Sequence, residues 1–556
     1  MDTQTGPQAR NRTATTGQAQ QEKKSVDIYK TDQSGYQLSS QIDLELDLAF
    51  APISRRASSI GVINMMSLIS RKYPFLRKSG MLTATVLALS TFFAGCAIGP
   101  EYQKPSDTDL FALHNANMLN ARQSTAAMPA LDAWWTGFND PVLVGIITRV
   151  LHENLDLAAS IARVDQARAV ATEAGAQRLP QGNVTSDVTR AKQSLNSPLG
   201  KIASTFPGYQ RTQTYYDLGV GASWELDLFG GLRRGSEAAN AEEEAAEADH
   251  MGVRISVAAE AADAYFRIRG AQTRIALAEN QVKTNDRLLE LVGIRLQEGL
   301  SNIREQAQAE ARLSEARASI PPLRSELEKQ LNRLDVLMGE QPGTPLGKNA
   351  AELVKSVDTS VIPAIAVAEN PTALLRRRPD VIAAERHLAA SNAKIGIAMA
   401  EYYPKVSLSG LLGFGSLGAA GLLSSSSFQP AVGLGLRWRL FDFGRIDAEI
   451  ARAKGANSEA LIRYRLSMLR ATEDVENAIM TLVQLERQST ELVREVNAHQ
   501  RARNASEEAY KGGAVSLTEV LDEDRLLLAG RDQLALAHAD NARAAVATFR
   551  ALGGGW

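Results

Sequence analysis

Trp224-Glu225-Leu226-Asp227-Leu228-Phe229-Gly230 returns 214 residues later as Trp438-Arg439-Leu440-Phe441-Asp442-Phe443-Gly444. The same offset relates Gly299 to Gly513 and Met338-Gly339 to Leu552-Gly553. An offset held over separate landmarks marks a duplicated unit. Between the landmarks Ala, Leu, Glu, Gln and Arg dominate. Each unit therefore reads as a strand, a very long helix, a turn and a returning helix.

The strand ahead of the first Phe-Gly has the clearest alternation in the chain. Tyr216, Leu218, Val220, Ala222, Trp224, Leu226 and Leu228 are apolar, while Asp217, Gly219, Gly221, Ser223, Glu225 and Asp227 take the other face. A soluble half-buried strand would show the same period. The length, well beyond the usual five or six residues or so, suits a tilted membrane strand. In the second copy, 404–414 and 428–440 alternate likewise and flank a Gly/Ser-rich loop at 415–427. A strand-like stretch through Val184 and Val188 follows Pro180. Pro180 and Pro404 each end an Ala-rich helix, 24 residues after Asp156 and Asp380 respectively.

From Gly231 the pattern stays helical for about 68 residues, on the order of 100 Å at about 1.5 Å per residue. Ile268, Ile275, Val282, Leu289 and Leu296 recur every seven residues, which predicts a coiled-coil seam. Gly299 breaks the helix. The return over 303–338 contains Pro321-Pro322, which predicts a kink or a break. The second long helix runs over 445–511 to Gly512-Gly513 and returns to the terminal Leu552-Gly553-Gly554-Gly555-Trp556.

Residues 1–64 are polar and lack an apolar period, so they read as disordered or as lying upstream of the true start. Residues 65–95 have the layout of a secretory signal: Arg71, Lys72, Arg77 and Lys78, then a short apolar run to Phe93-Ala94-Gly95. The run is too short for an ordinary membrane-spanning helix. Cys96 follows and is the only cysteine in the chain, so no intramolecular disulfide forms. A lone cysteine is often a small buried apolar residue; this position fits a lipobox instead. Residues 96–150 then read as a lipid-anchored, Gly/Pro-rich tether with belt contacts, docked through Trp134, Trp135 and Phe138.

The remaining organisation is a first repeat over 151–338, an inter-repeat belt insert over 339–371 and a second repeat over 372–556. A net charge of −2 gives no basic field for nucleic acid. The six histidines are scattered outside any metal-type spacing, and no Walker loop or nucleophile elbow occurs. The reading is therefore not an enzyme, with no metal and no cofactor.

Four membrane-type strands in one chain cannot stand alone. An open sheet edge is not tolerated in lipid, and known barrels of this kind need at least about eight strands. Oligomerisation follows. A trimer gives twelve strands, a dimer eight, with the long helices packing into a helical barrel below. The fold class is thus a membrane β-barrel joined to a long α-helical barrel, four strands per protomer.

At this point the chain resembles the TolC-like outer-membrane efflux proteins, in their lipoprotein branch (NodT/OprM-like outer-membrane factors of RND-type multidrug systems). The residues that carry the resemblance span about 96–556. They are Cys96 with Gly99-Pro100-Glu101-Tyr102, Arg377-Arg378-Pro379-Asp380 with Ala384-Glu385-Arg386, Ile395-Gly396-Ile397-Ala398, Tyr403-Pro404, the two Trp…Phe-Gly strand ends and the terminal Leu-Gly-Gly-Gly-Trp. The resemblance implies a homotrimer with a twelve-stranded barrel, lipidation of Cys96 and anchoring in the outer membrane with a periplasmic extension. It implies a periplasmic adaptor and an inner-membrane RND-type pump as partners. The channel itself would passively conduct drugs and other small toxic compounds outward.

The resemblance also places a periplasmic gate at the hairpin tips. The second tip pattern is met by Val520, Leu521, Asp522 and Arg525, beside Thr518 and Glu519. Three copies of Asp522 would form a carboxylate ring, and Arg525 would tie a neighbouring helix. The bland alternative is that both are solvated helix charges. The first tip lacks the family's usual Asp, leaving Glu305 as the stand-in. Gly299, Ser301, Gly512, Gly513 and Ser516 would shape the tips and receive the adaptor. Trp224 and Trp438 would form an interfacial aromatic belt, or else simply pack in the core. Two other functions fit parts of the sequence: a type I protein-secretion channel and a periplasmic coiled-coil scaffold. The scaffold leaves the four alternating strands unexplained.

Overall fold

Alternation of period two and a helix pattern closed by glycines produce, in the computed structural model, the strands and helices the duplication predicts. The structure describes residues 97–106, 113–120, 129–343, 353, 361–365 and 375–556, all within one unit, Phe92–Trp556. The expected extension over 1–64, the signal segment over 65–95, Cys96 and most of the 339–371 insert lie outside the described residues.

Four strands form one antiparallel sheet in the order β1-β2-β3-β4: β1 (Gln181–Lys192), β2 (Thr212–Leu226), β3 (Lys405–Ser416) and β4 (Phe428–Arg437). Val220 lies opposite Val184 on one side and Leu412 on the other, and Leu408 lies opposite Leu434. These are cross-strand neighbours on one apolar face. The other face carries small and polar pairs such as Gly219–Gly413, Ser223–Ser409 and Ser407–Gly435. Among the described residues no element packs on the apolar face, and Val184, Val188, Val432, Leu434 and Leu436 are all exposed. β4 ends at Arg437, three residues short of the expectation.

Two short helices, α1 (Ala116–Asn120) and α2 (Pro141–Glu153), precede α3 (Leu155–Ala176). A one-turn-and-a-half helix, α4 (Pro198–Ala203), sits between β1 and β2. The long helices α5 (Gly231–Gln297) and α8 (Arg445–Lys511) each have 67 residues. Their returns α6 (Ile303–Leu337) and α9 (Leu517–Ala551) each have 35. α7 (Pro379–Ala400) is the second copy of α3. Both long helices start from a left-handed glycine, Gly230 (φ 80°) and Gly444 (φ 84°). An aspartate caps each: Asp227 accepts from the Leu232 and Arg233 amides, and Asp442 from the Gly444 and Ile446 amides.

Three expectations are corrected here. α6 continues through Pro321 and Pro322, so of the expected kink or break the break does not occur; two lost amide donors bend or weaken a helix, but packing on α5 keeps it whole. The seven-residue seam holds at fully buried Ile268 and is displaced beyond it. Asn285, Leu288 and Val292 are buried in α5, whereas Ile275, Val282 and Leu289 are half-buried. A helix of about 3.6 residues per turn drifts off a strict seven-residue repeat, so the contact face leaves that row. Residues 97–106 are not a loose tether but a strap. The Ile98 amide donates to the Phe229 carbonyl at 3.1 Å. Buried Arg234 donates to the Ile98 carbonyl and to Glu101. Asn392 donates to the Pro100 carbonyl at 2.9 Å, and Tyr102 donates to Glu385. Gly99, at φ 107°, lies so close to Gly396 that a β-carbon there would sit 2.5 Å from its Cα.

The expected docking residues do form the core. Trp134 is fully buried and stacks on Phe549 at 5.5 Å, with Trp135 and Phe138 beside it. The Arg run ties elements together. Arg378, largely buried, donates to Asp380, Asp474 and the Ala551 carbonyl. Arg376 holds the strap at the Pro105 carbonyl, and Arg377 lies over the Trp556 ring.

Candidate gate and anchor sites

Both hairpin tips are shaped by the same backbone device. Gly299 (φ 72°) and Gly513 (φ 75°) are left-handed. Beyond each, the next amide reaches back, Leu300 to the Arg295 carbonyl at 2.8 Å and Ala514 to the Ala509 carbonyl at 2.9 Å. That is a Schellman end, which glycine adopts without strain. Gly512 has an ordinary helical φ of −77°, so the turn does not require it to be glycine.

The return helices start on capped ends. Asn302 caps α6 by accepting from the Glu305 amide at 3.1 Å, and Ser301 donates to the Glu305 carboxylate at 2.6 Å. Ser516 caps α9, where the Glu519 carboxylate accepts from the Ser516 amide at 3.4 Å. Glu519 thus closes a capping box, while Glu305 accepts from the Ser301 hydroxyl and the Asn302 side-chain amide; both carboxylates sit at the positive end of a helix dipole.

Asp522 is drawn to the other hairpin. Arg312 of α6 donates to it at 2.9 Å. Leu517 and Leu521 pack beside Leu288, Val292 and Ala309, giving the tips a small apolar core. Further along, Arg274 grips Asp532 through two hydrogen bonds of 2.7 and 2.9 Å. At the tips Arg295 donates to the Tyr510 hydroxyl. A cleft of about 480 Å³ lies between the hairpins, lined by Arg274, Arg312, Pro322, Leu521, Asp524 and Arg525 among others. Asp524 and Glu523 face α8 instead, toward Arg503 at 3.0 Å and His499 at 3.4 Å. Thr518 is half-buried and Arg525 is exposed. Asp522 and Arg525 are therefore not joined to each other, and Arg312 is the residue the sequence did not point to.

Trp224 and Trp438 play matching parts. Each indole N–H donates at 2.9 Å to a backbone carbonyl in the turn before its hairpin's first strand, at Arg178 and Tyr402 respectively. Both rings stay partly open to the surroundings of the sheet. Ala97, next to Cys96, lies against Gly230 at the junction of β2 and α5.

Among the described residues no helix is long and apolar enough to cross a membrane. The sheet alone offers a lipid-type face, over paired helices some 100 Å long by the usual rise. That combination defines an outer-membrane duct. The chain belongs to the outer membrane efflux protein family, whose model matches residues 146–340 and 370–554. Pyoverdine export outer membrane protein OpmQ of Pseudomonas putida is 32% identical over 423 residues, 76% of this chain and 88% of that protein. Cation efflux system protein CusC of Escherichia coli O6:H1 is 27% identical, covering 83% of this chain and 96% of that protein. The solved outer-membrane channel OprN superposes with a TM-score of 0.73 at 32% identity, over 83% of this chain and all of that one. The protein is an outer-membrane exit duct of an efflux system.

Proposed function

We propose that three copies close the sheet into a twelve-stranded barrel above a helical tube. Small solutes then pass passively through it from the periplasm to the exterior. One observation carries this: a four-stranded sheet whose apolar face is bare and whose β1 and β4 edges have no partner among the described residues. In lipid such edges must be paired. The small residues on the other face suit a wide, wet lumen.

Cys96 carries the acyl anchor, with Ala97 held at the barrel–helix junction, where an anchored chain meets the membrane surface. Trp224 and Trp438 mark the same level as an aromatic belt. The hairpin tips at Gly299 and Gly513 receive a periplasmic adaptor, which links the duct to an inner-membrane RND-type pump. The names of the relatives span pyoverdine and cations, which favours a weakly selective duct with cargo chosen upstream. Asp522, held by Arg312, closes the tips; three copies form a cation-selective constriction.

Single-channel conductance of the detergent-extracted protein in planar bilayers tests this reading. Small cation-selective openings that enlarge in Asp522→Ala/Arg525→Ala are expected. Folded trimer without conductance in either form overturns the duct-and-gate reading.

A further inference from the structure

Charge is sorted between the two faces of the sheet. Side chains alternate along a strand, so the face of Val184, Val188, Val220 and Leu434 also carries residues 190 and 192. Of all the strand residues on that face, only Arg190 and Lys192 are charged. The other charges of the strands, Asp187, Asp217, Glu225, Lys405 and Arg437, lie on the opposite face.

Arg190 and Lys192 stand at the end of the sheet away from the long helices, and both are exposed. Thr214 lies opposite Arg190, and Thr212 opposite Lys192. Such cross-strand neighbours have β-carbons about 5 Å apart, and alternate residues of one strand are about 7 Å apart. Two cations and two hydroxyls thus form one block of hydrogen-bond donors, with no carboxylate on its face. The backbone beneath it is fixed. Beyond Lys192 the Gln193 amide donates to the Arg211 carbonyl at 2.9 Å, and Arg211 Nε donates back to the Gln193 carbonyl at 2.8 Å.

The height of the block is set by aromatic residues on the same face. Tyr216 lies next to it, opposite Val188. Phe414 and Phe428 pair nearby, with rings 5.4 Å apart. Trp224 lies toward the helices. Aromatic girdles flank the apolar band of a membrane barrel at both interfaces. Thr214 is ten residues from Trp224 along β2, about 33 Å of strand, or about 25 Å of height at a tilt near 40°. That height equals the apolar band itself. Arg190 and Lys192 therefore meet the headgroups of the outward leaflet, not its acyl chains.

We propose that Arg190, Lys192, Thr212 and Thr214 bind the phosphates of a phosphorylated glycolipid of the outer leaflet, on the outside of the barrel. This rests on the barrel reading. Phosphate fits because every group in the block donates and two are cations, Arg as a planar fork and Lys as a point charge. Cations about 7 Å apart along the strand suit a headgroup with two phosphates better than one with a single phosphodiester. Side chains that merely snorkel to water would bind lipid without regard to phosphate.

The test is native mass spectrometry of the detergent-extracted, full-length trimer. It is titrated with bis-phosphorylated lipid A, with the same lipid A stripped of its phosphates, and with phosphatidylglycerol. Adducts of the first lipid, and few of the other two, are expected. Arg190→Gln/Lys192→Gln should carry about tenfold fewer adducts, the loss of two basic contacts at an anionic surface. Arg190→Lys/Lys192→Arg should keep most of them. Lys405→Gln/Arg437→Gln removes two charges from the opposite face and should bind as wild type does. Single-channel conductance is read on the same preparations. A conducting trimer whose adducts are the same for all three lipids, or the same in wild type and Arg190→Gln/Lys192→Gln, overturns the lipid site and leaves the duct reading intact. Wild-type protein that is neither trimeric nor conducting overturns both.

Discussion

Arg312 on α6 lies 2.9 Å from Asp522 on α9, so the aspartate proposed for the gate is bound to the opposite hairpin of its own chain. With Arg274–Asp532 and Arg295–Tyr510, it forms a line of ties between the two hairpins. Opening the tips by parting the hairpins breaks these ties. Arg312→Ala and Asp522→Ala should each enlarge single-channel conductance, and the double variant should add little beyond either, the signature of a coupled pair. Asp522 is more than half exposed, so stability should change by no more than about 1 kcal/mol. Unchanged conductance in both single variants removes this pair from the gate.

Arg378 is a structural node. It joins the start of α7 to α8 through Asp474 and to the end of α9 through the Ala551 carbonyl. Burial disfavours its charge, but Asp380 and then Asp474 outweigh burial and push the guanidinium pKa up. Removing one partner of a buried pair costs about 3–5 kcal/mol. Both carboxylates keep access to water, which puts Arg378→Ala at or below the low end. Lys lacks the planar fork, so Arg378→Lys should recover only part of the loss. Urea titration of the extracted trimer distinguishes the ranks; equal midpoints for all three would refute the node.

How much of this was legible in the sequence depended on how local the signal was. Gly230, Gly299, Gly444 and Gly513 bound the long helices nearly to the residue, because a left-handed turn is a one-residue demand. The strands were legible because membrane-type faces alternate cleanly. The seam was misplaced because Asn285 sits in it. Its amide accepts from Gln281 and donates to the Arg312 carbonyl, and a polar residue is invisible to an apolar count. The strap was misread because Gly99 and Pro100 look like a linker. Their partners, Gly396 and Asn392, lie nearly 300 residues away. Arg312 was missed for the same reason: its meaning comes from Asp522, on the other repeat.

Gly99 tests the strap. A β-carbon at Gly99 would meet the Gly396 backbone, which cannot yield as a flexible side chain can, and φ 107° is strained for any other residue. Gly99→Ala should release residues 97–102 from α5 and α7, leaving Arg234 buried without its carbonyl partners. Faster limited proteolysis near Lys104 and a lower melting temperature are expected, with trimer mass unchanged. Glu101→Gln, which keeps the backbone contacts, should leave proteolysis close to wild type. Protection equal to wild type in Gly99→Ala would mean the strap does not close against Gly396 in solution.

His387 and Glu242 give the helical wall a defined pH response. His387 Nδ1 lies 2.8 Å from Glu242, and Lys394 lies 2.7 Å from the same carboxylate. The Glu242 hydrogen bond raises the His387 pKa against the pull of burial, with Asp249 adding to it and Lys394 opposing. His387 and then Lys394 draw Glu242 down to about 2 despite burial. A raised histidine contributes stability in full below its unfolded value near 6.5, and loses it as pH climbs through the folded value. A depressed carboxylate contributes above its ordinary value of 4.5 and loses it as pH falls toward 2. Both contributions are therefore complete between about pH 4.5 and 6.5. His387→Gln should lower the melting temperature relative to wild type most near pH 5.5, with the gap closing by pH 9. The pair is partly exposed, so the gap should stay within about 1 kcal/mol. Lys394 still holds Glu242 in the variant, and Asp249, which burial pushes up, keeps Arg163 as its compensating charge. A gap that is flat from pH 5.5 to 9 would show that His387 carries no proton-linked stability in the folded wall.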